Sequence, residues 1–236
     1  MVNFIEIFFF ILSCTITLTT YTIIGKLILG KNKNNLYDQI IFGIITSGFI
    51  SLTLNFFLPL NRELNSIFQV SLILTYFVFL KKKFDVKEIK SILIISVIVF
   101  ILIIFDTENR PDAYLYHLPY SQILNENKII IGLSNFHFRF AIISIFQYLG
   151  SFNFTLWSGL NGLVMPALIY CVVIFLFFLN DVRNLSKKIS YGKIFSLLIF
   201  TYICLRINRF GEFGNDAMAH LTIFYLISKF IYLNAK

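Results

Sequence analysis

Two stretches of this chain hold all three of its histidines and half of its twelve carboxylates, set among arginines and aromatic rings. The first, Asp106 to Phe140, carries Asp106, Glu108, Arg110, Asp112, His117, Glu126, His137 and Arg139, interleaved with Tyr114, Tyr116, Tyr120, Phe136, Phe138 and Phe140. The second, Arg206 to His220, carries Arg206, Arg209, Glu212, Asp216 and His220 around Gly211 and Gly214. A carboxylate held in a partly dry cavity near a second carboxylate has its pKa raised, which suits a general base. Asp112 is the candidate, if it shares such a cavity with Asp216. Arg139 and Arg209 are candidates to grip phosphate oxygens with their planar forks, with His117 and His137 beside them as substrate-contacting residues. Asp216 and His220, four apart on a helix's first turn, offer ligands to a divalent cation together with Glu212. A plainer alternative stands beside each assignment. The first stretch also suits an interfacial segment held by aromatic rings, and in the second Asp216 also suits a helix cap and His220 an interfacial residue.

The elements that must position these residues belong to a bilayer. Of the 236 residues 58% are hydrophobic and 14% charged, 29 are Phe, and the mean hydropathy is +0.80. A soluble domain averages about 45–50% apolar and about 25% charged residues, so an ordinary soluble enzyme, a secreted disulfide scaffold and a disordered tail are excluded. Cys14, Cys171 and Cys204 lie inside apolar runs and read as packing residues. The net charge of +8 sits in short clusters between apolar stretches, a pattern that sets membrane orientation rather than one that meets nucleic acid. No nucleotide-binding loop or haem motif is present.

A helix needs about 20 apolar residues to cross the hydrocarbon core. Spans are expected at Phe4–Ile24, Gln39–Leu60, Leu64–Leu80, Ser91–Phe105, Asn161–Leu179, Ile189–Leu205 and Met218–Leu233. Phe4–Ile24 lacks the basic leader of a cleavable signal peptide. Ala141–Trp157 is long enough to cross but carries Ser144, Gln147, Gly150, Ser151 and Asn153, and its apolar residues fall on one helical face, which suits a helix lying in the interface. Charge decides between the two. If it does not span, 14 of the 20 basic residues fall inside and 6 outside; if it does, the division is 10 against 10. The positive-inside rule selects seven crossings with the N-terminus outside, and places both polar stretches on the outer face.

The run Asp112-Ala-Tyr-Leu-Tyr-His-Leu-Pro-Tyr-Ser-Gln-Ile-Leu, then Gly132, Asn135-Phe-His-Phe-Arg-Phe and Ile145-Phe-Gln-Tyr-Leu, resembles the first outer loop of GT-C-fold glycosyltransferases. These polytopic enzymes take sugars from polyprenyl-phosphate donors. The resemblance implies an all-α transmembrane bundle with leading helices in residues 1–90. A core portion in 91–236 would follow, with outer loops 106–140 and 206–220 and interfacial helices in the first. It implies Asp112 as the catalytic acid, with Asp106 as its rival, and Asp216 with Glu212 as acids of the second loop. The partners implied are the bilayer, a polyprenyl-phosphate-linked sugar and an acceptor glycan or lipid, at the outer face of a bacterial inner membrane. Members of that family have more than seven crossings, so the expectation is the N-terminal part of a longer enzyme. Two rivals stand beside this: a flippase for lipid-linked glycans, which should carry ionisable residues at the bilayer midplane, and a non-catalytic membrane fragment.

Overall fold

From Phe4 to Leu29 the chain is apolar around the whole circumference of a helix, with Glu6 in the first turn and Lys26 in the last matching the helix dipole. This helix, α1, runs about 39 Å at 1.5 Å per residue, more than the ~30 Å hydrocarbon core. It stops at Gly30, whose φ of +72° is the left-handed conformation that closes helices. The computed structural model describes residues 4–30, 35–105, 112–141, 144–183, 190–207, 210 and 216–234. Among them every regular element is helical, as the composition predicts: α2 (Leu36–Asn55), α3 (Arg62–Leu74), α4 (Val86–Phe105), α5 (Leu118–Glu126), α6 (Ile145–Phe152), α7 (Asn161–Arg183), α8 (Tyr191–Arg206) and α9 (Asp216–Asn234). A wide π turn, Thr75–Phe79, continues α3, and another, Ala113–His117, leads into α5. Among the described residues, three helices are long and apolar enough to cross a membrane: Glu6–Leu29, Leu36–Asn55 and Asn161–Arg183.

The helices pack by close approach of backbones. A Cβ built on Gly25 would overlap the Gln39 carbonyl oxygen, and one on Gly43 would overlap that of Tyr21. The two glycines thus let α1 and α2 touch main chain to main chain, a device common where no hydrophobic force drives apolar helices together. The core centres on α7, which packs against α2, α4, α6, α8 and α9. Outward faces keep large apolar side chains exposed, among them Phe8, Phe49, Val78, Leu93 and Phe230. Hydrocarbon accepts such a belt and water does not.

Basic residues converge on one end of the bundle. Asp85 opens α4, and Glu88 three residues on accepts from its backbone N–H at 2.8 Å, half of a capping box. Glu88 also holds Lys26, at 2.6 Å, tying the end of α1 to the start of α4. Asp38, in the first turn of α2, takes Lys229 of α9 at 2.7 Å and the Tyr225 hydroxyl at 2.6 Å. The Lys229 ammonium also lies 5.0 Å from the Phe177 ring of α7.

The opposite end is tied by amides. Asn55 ends α2 by donating to the carbonyls of Leu58, Leu124 and Asn127 at 3.0–3.3 Å, and its own carbonyl accepts from Ile129 N–H. Asn65, fully buried, donates to Leu60, Ser151 and Phe154 carbonyls at 2.8–3.0 Å. Asn153 donates to Tyr21 Oη at 2.6 Å and accepts from Gln69 Nε2 at 3.2 Å. These contacts fix the segment after α4 and the α6–α7 turn onto the bundle. The helix within Ala141–Trp157 is α6, only eight residues long and about 12 Å, too short to cross. It differs from the expected surface helix: Gln147 through Phe152 are all buried, because α6 is wedged against α2 and α7.

Candidate functional site

The stretch expected as a long loop is largely helical where it is described. It begins with Asp112 and the π turn Ala113–His117, which runs without a break into α5, with Pro119 at the junction. A π turn adds a residue to the helical ladder and re-aims the side chains around it. Here it sets Asp112 and Tyr116 on one face, with the Tyr116 hydroxyl 3.4 Å from Asp112 Oδ2. Two 3₁₀ turns, Leu133–Asn135 and Phe138–Ala141, bring Arg139 back across the same tyrosine. Its guanidinium carbon lies 4.8 Å from the Tyr116 ring centre and 5.5 Å from that of Phe138. The turn docks through Phe140, whose ring lies 5.6 Å from Tyr120; Tyr120 and Tyr148 of α6 meet hydroxyl to hydroxyl at 3.2 Å.

The site is therefore a phenol between a carboxylate and a guanidinium. Burial is the main cause that raises the Tyr116 pKa above its usual value; the Asp112 charge adds to it, and Arg139 opposes it. The phenol remains protonated at neutral pH and can donate to Asp112. The guanidinium lies against two rings and also hydrogen-bonds the Tyr116 side chain. Such a set can orient a hydroxyl at the carboxylate and neutralise a nearby oxyanion.

Of the residues singled out in the sequence, Asp112, His117, His137 and Arg139 come together here. The ring centres of His117 and Tyr116 are 4.2 Å apart. His137 Nδ1 accepts from the Arg139 backbone N–H at 3.3 Å, and its ring stacks on Phe138. Asp106, Arg209 and Glu212 lie outside the described residues. Asp216 opens α9 where the sequence places a helix start, its side chain outside the description, and His220 is exposed in the next turn. Among the described residues no three His, Cys, Asp or Glu side chains come within reach of one ion. Tyr116 is the member that sequence reasoning used only as an anchor; its spacing of four from Asp112 is the signal that finds it. Asn55, Asn65 and Asn153, which hold the platform, were also missed.

Among the described residues the chain is a helical bundle with three helices long and apolar enough to cross a membrane and a polar cluster at one end. The chain belongs to the family described as Domain of unknown function (DUF8201), whose model matches residues 1–236. No curated protein and no solved structure matches it.

Proposed function

We propose that the chain is an integral membrane glycosyltransferase, moving a sugar from a polyprenyl-phosphate donor to an acceptor glycan or lipid for cell-envelope assembly. The observation that carries this is the Asp112–Tyr116–Arg139 arrangement, a base candidate and a cation flanking one phenol. In the proposed topology α1, α2, α3 with its π turn, α4, α7, α8 and α9 make seven crossings and α6 makes none. The basic end faces the cytoplasm of a bacterial inner membrane, and the N-terminus and the site face outside.

In the mechanism, Asp112 takes the proton of an acceptor hydroxyl, oriented with help from the Tyr116 hydroxyl. The acceptor oxygen then bonds to the anomeric carbon as the bond from that carbon to the phosphate oxygen breaks. Arg139 neutralises the charge gathering on the departing lipid phosphate. A divalent cation would add charge neutralisation at that phosphate and would draw on Glu212, Asp216 and His220; of these only the His220 side chain lies among the described residues.

The test is reconstitution of the chain in vesicles with a polyprenyl-phosphate sugar and a labelled acceptor. Asp112→Asn should lower transfer by at least ~100-fold, the usual worth of a general base, with expression and helicity unchanged. Transfer at the wild-type rate by this variant would remove Asp112 from the chemistry.

A further inference from the structure

The helix that carries Asp112 and Tyr116 on one face lines a separate groove with the other. Tyr116, Tyr120 and Leu124 follow a four-residue stripe; Tyr120 and Leu124 pack with Phe140 in a buried cluster. Tyr114, Leu118, Gln122 and Asn125 lie on the opposite side and, with the start of α3 and the turn before α7, wall a cavity of about 580 Å³. That volume is within the ~300–1,000 Å³ range of small-ligand sites.

Its chemistry is specific. Two polar atoms in the lining, Arg62 Nε and Asn125 Oδ1, are buried without a hydrogen-bond partner among the described residues. Asn125 is oriented by its own Nδ2, which donates to the Ser121 carbonyl at 3.1 Å and leaves Oδ1 unpaired. The Arg62 guanidinium is held over the Phe154 ring at 5.1 Å. Neither atom is itself open to the groove, but the lining around them mixes donors (Arg62, Gln122, Asn125) with acceptors (Glu63, Glu126 and the two amides), a set that suits hydroxyl groups, which both accept and donate. Charge points the same way: the lining sets Arg62 against two carboxylates, Glu63 and Glu126, so an anion meets net repulsion. Gln122 Nε2 donates to Glu126 Oε1 at 2.8 Å, which pre-orients two planar polar groups. Tyr114 leaves an aromatic ring 64% exposed at the rim.

We infer that this groove is a binding site for a neutral carbohydrate: planar amide and carboxylate groups meet its hydroxyls, and Tyr114 and Phe154 meet the C–H face of its ring. It is distinct from the Asp112 cluster, and its occupancy is read by binding alone. Absence of sugar transfer by the wild-type chain with binding intact counts against the transferase reading only, and absence of binding counts against the groove only.

Trp157 is the only tryptophan in the chain and lies between Phe154 and Leu160, both of which line the groove. Its fluorescence is the built-in reporter. The full chain in lipid nanodiscs would be titrated with cellobiose, chitobiose and maltotriose, and separately with sodium phosphate. The expected result is a saturable change with at least one sugar and none with phosphate. Asn125→Leu and Arg62→Met should each weaken sugar binding by roughly tenfold, about the worth of a hydrogen bond to a buried group. Because either could disturb folding, circular dichroism is read in parallel, and Tyr114→Ala removes an exposed ring on which the fold does not depend. Three outcomes overturn the inference: no response to any sugar, a saturable phosphate response that needs Arg62, or sugar binding that Tyr114→Ala leaves unchanged.

Discussion

The two ends of the bundle treat charge in opposite ways. At the basic end, Lys26 meets Glu88 and Lys229 meets Asp38 in ion pairs at 2.6–2.7 Å, and each pair joins two helices. At the other end, Arg139 lies against Tyr116 and Phe138, Arg62 against Phe154, and Asp112 takes its contact from a phenol. The helix ties at that end come from uncharged amides instead, those of Asn55, Asn65 and Asn153. Rings and phenols touch charges at both ends, Phe177 and Tyr225 at the basic end included. What differs is that the basic end's charges are also paired with each other, whereas Arg139 and Arg62 meet rings and Asp112 a phenol. The division of labour between amides and charges is what marks one end as a scaffold and the other as a site.

The largest expected effect breaks the scaffold end. The Lys26 and Glu88 side chains are only 9% and 19% exposed, so Lys26→Met strands a carboxylate in a poorly hydrated setting. The expected loss is about 2–4 kcal/mol of stability, at or just below the range for breaking buried pairs. Adding Glu88→Gln should recover more than half of it, because the stranded charge goes with it. Equilibrium unfolding in mixed micelles reads both, and sugar binding or transfer should not change. A Lys26→Met protein as stable as the wild type would mean that the pair is not a tie.

The helices of both ends were legible in the sequence, and the ties of the site end were not. Asn161 and Phe105 are helix boundaries in the apolar pattern and in the structure alike. The pattern ends α1 early, at Ile24, where the apolar run meets Gly25 and Lys26. In the structure Gly25 is a contact point with α2 and Lys26 is neutralised, so the helix continues to Leu29. It carries α2 too far, to Leu60, because nothing local reveals that Asn55 will be drawn to carbonyls 69 and 72 residues away. Asn65 and Asn153 fail for the same reason: a lone amide in an apolar run shows that a partner is needed, not where it lies. Within the site, Asp112 and Tyr116 are a local pair and can be read from their spacing. Arg139 reaches Tyr116 only through two 3₁₀ turns whose docking depends on Tyr120, Phe140 and Tyr148, a tertiary arrangement that no spacing rule encodes.

A smaller effect sharpens the comparison at the site end. Arg139 is held by two rings rather than by a carboxylate, so Arg139→Met should keep much of the packing and cost under about 1 kcal/mol, the scale of a cation–π contact. In the same unfolding assay it should fall well below Lys26→Met. Transfer, by contrast, should drop by at least ~10-fold if the guanidinium edge serves the leaving phosphate. A stability loss as large as that of Lys26→Met would place Arg139 with the structural charges and erase the difference between the ends.

The smallest effect lies in alkaline solution. Burial first, and then the Asp112 charge, raise the folded-state pKa of Tyr116 above its ordinary value near 10. Below about pH 10 the phenol is protonated in both folded and unfolded chains, and its contribution to stability is fully present. As pH rises through the folded value, the unfolded chain has already released this proton while the folded chain retains it, so stability falls. Tyr116→Phe removes the titrating group and should flatten that part of the decline above about pH 10, while leaving neutral-pH stability nearly unchanged. The same substitution deletes the hydroxyl that faces Asp112, so it separates the two roles of the residue. A flattened alkaline slope with unchanged transfer would make Tyr116 only a platform for Arg139; a flattened slope with reduced transfer would make its hydroxyl a partner of the carboxylate. An unaltered alkaline slope would show that Tyr116 is not screened from water, and with that the dry setting assumed for Asp112 would fail.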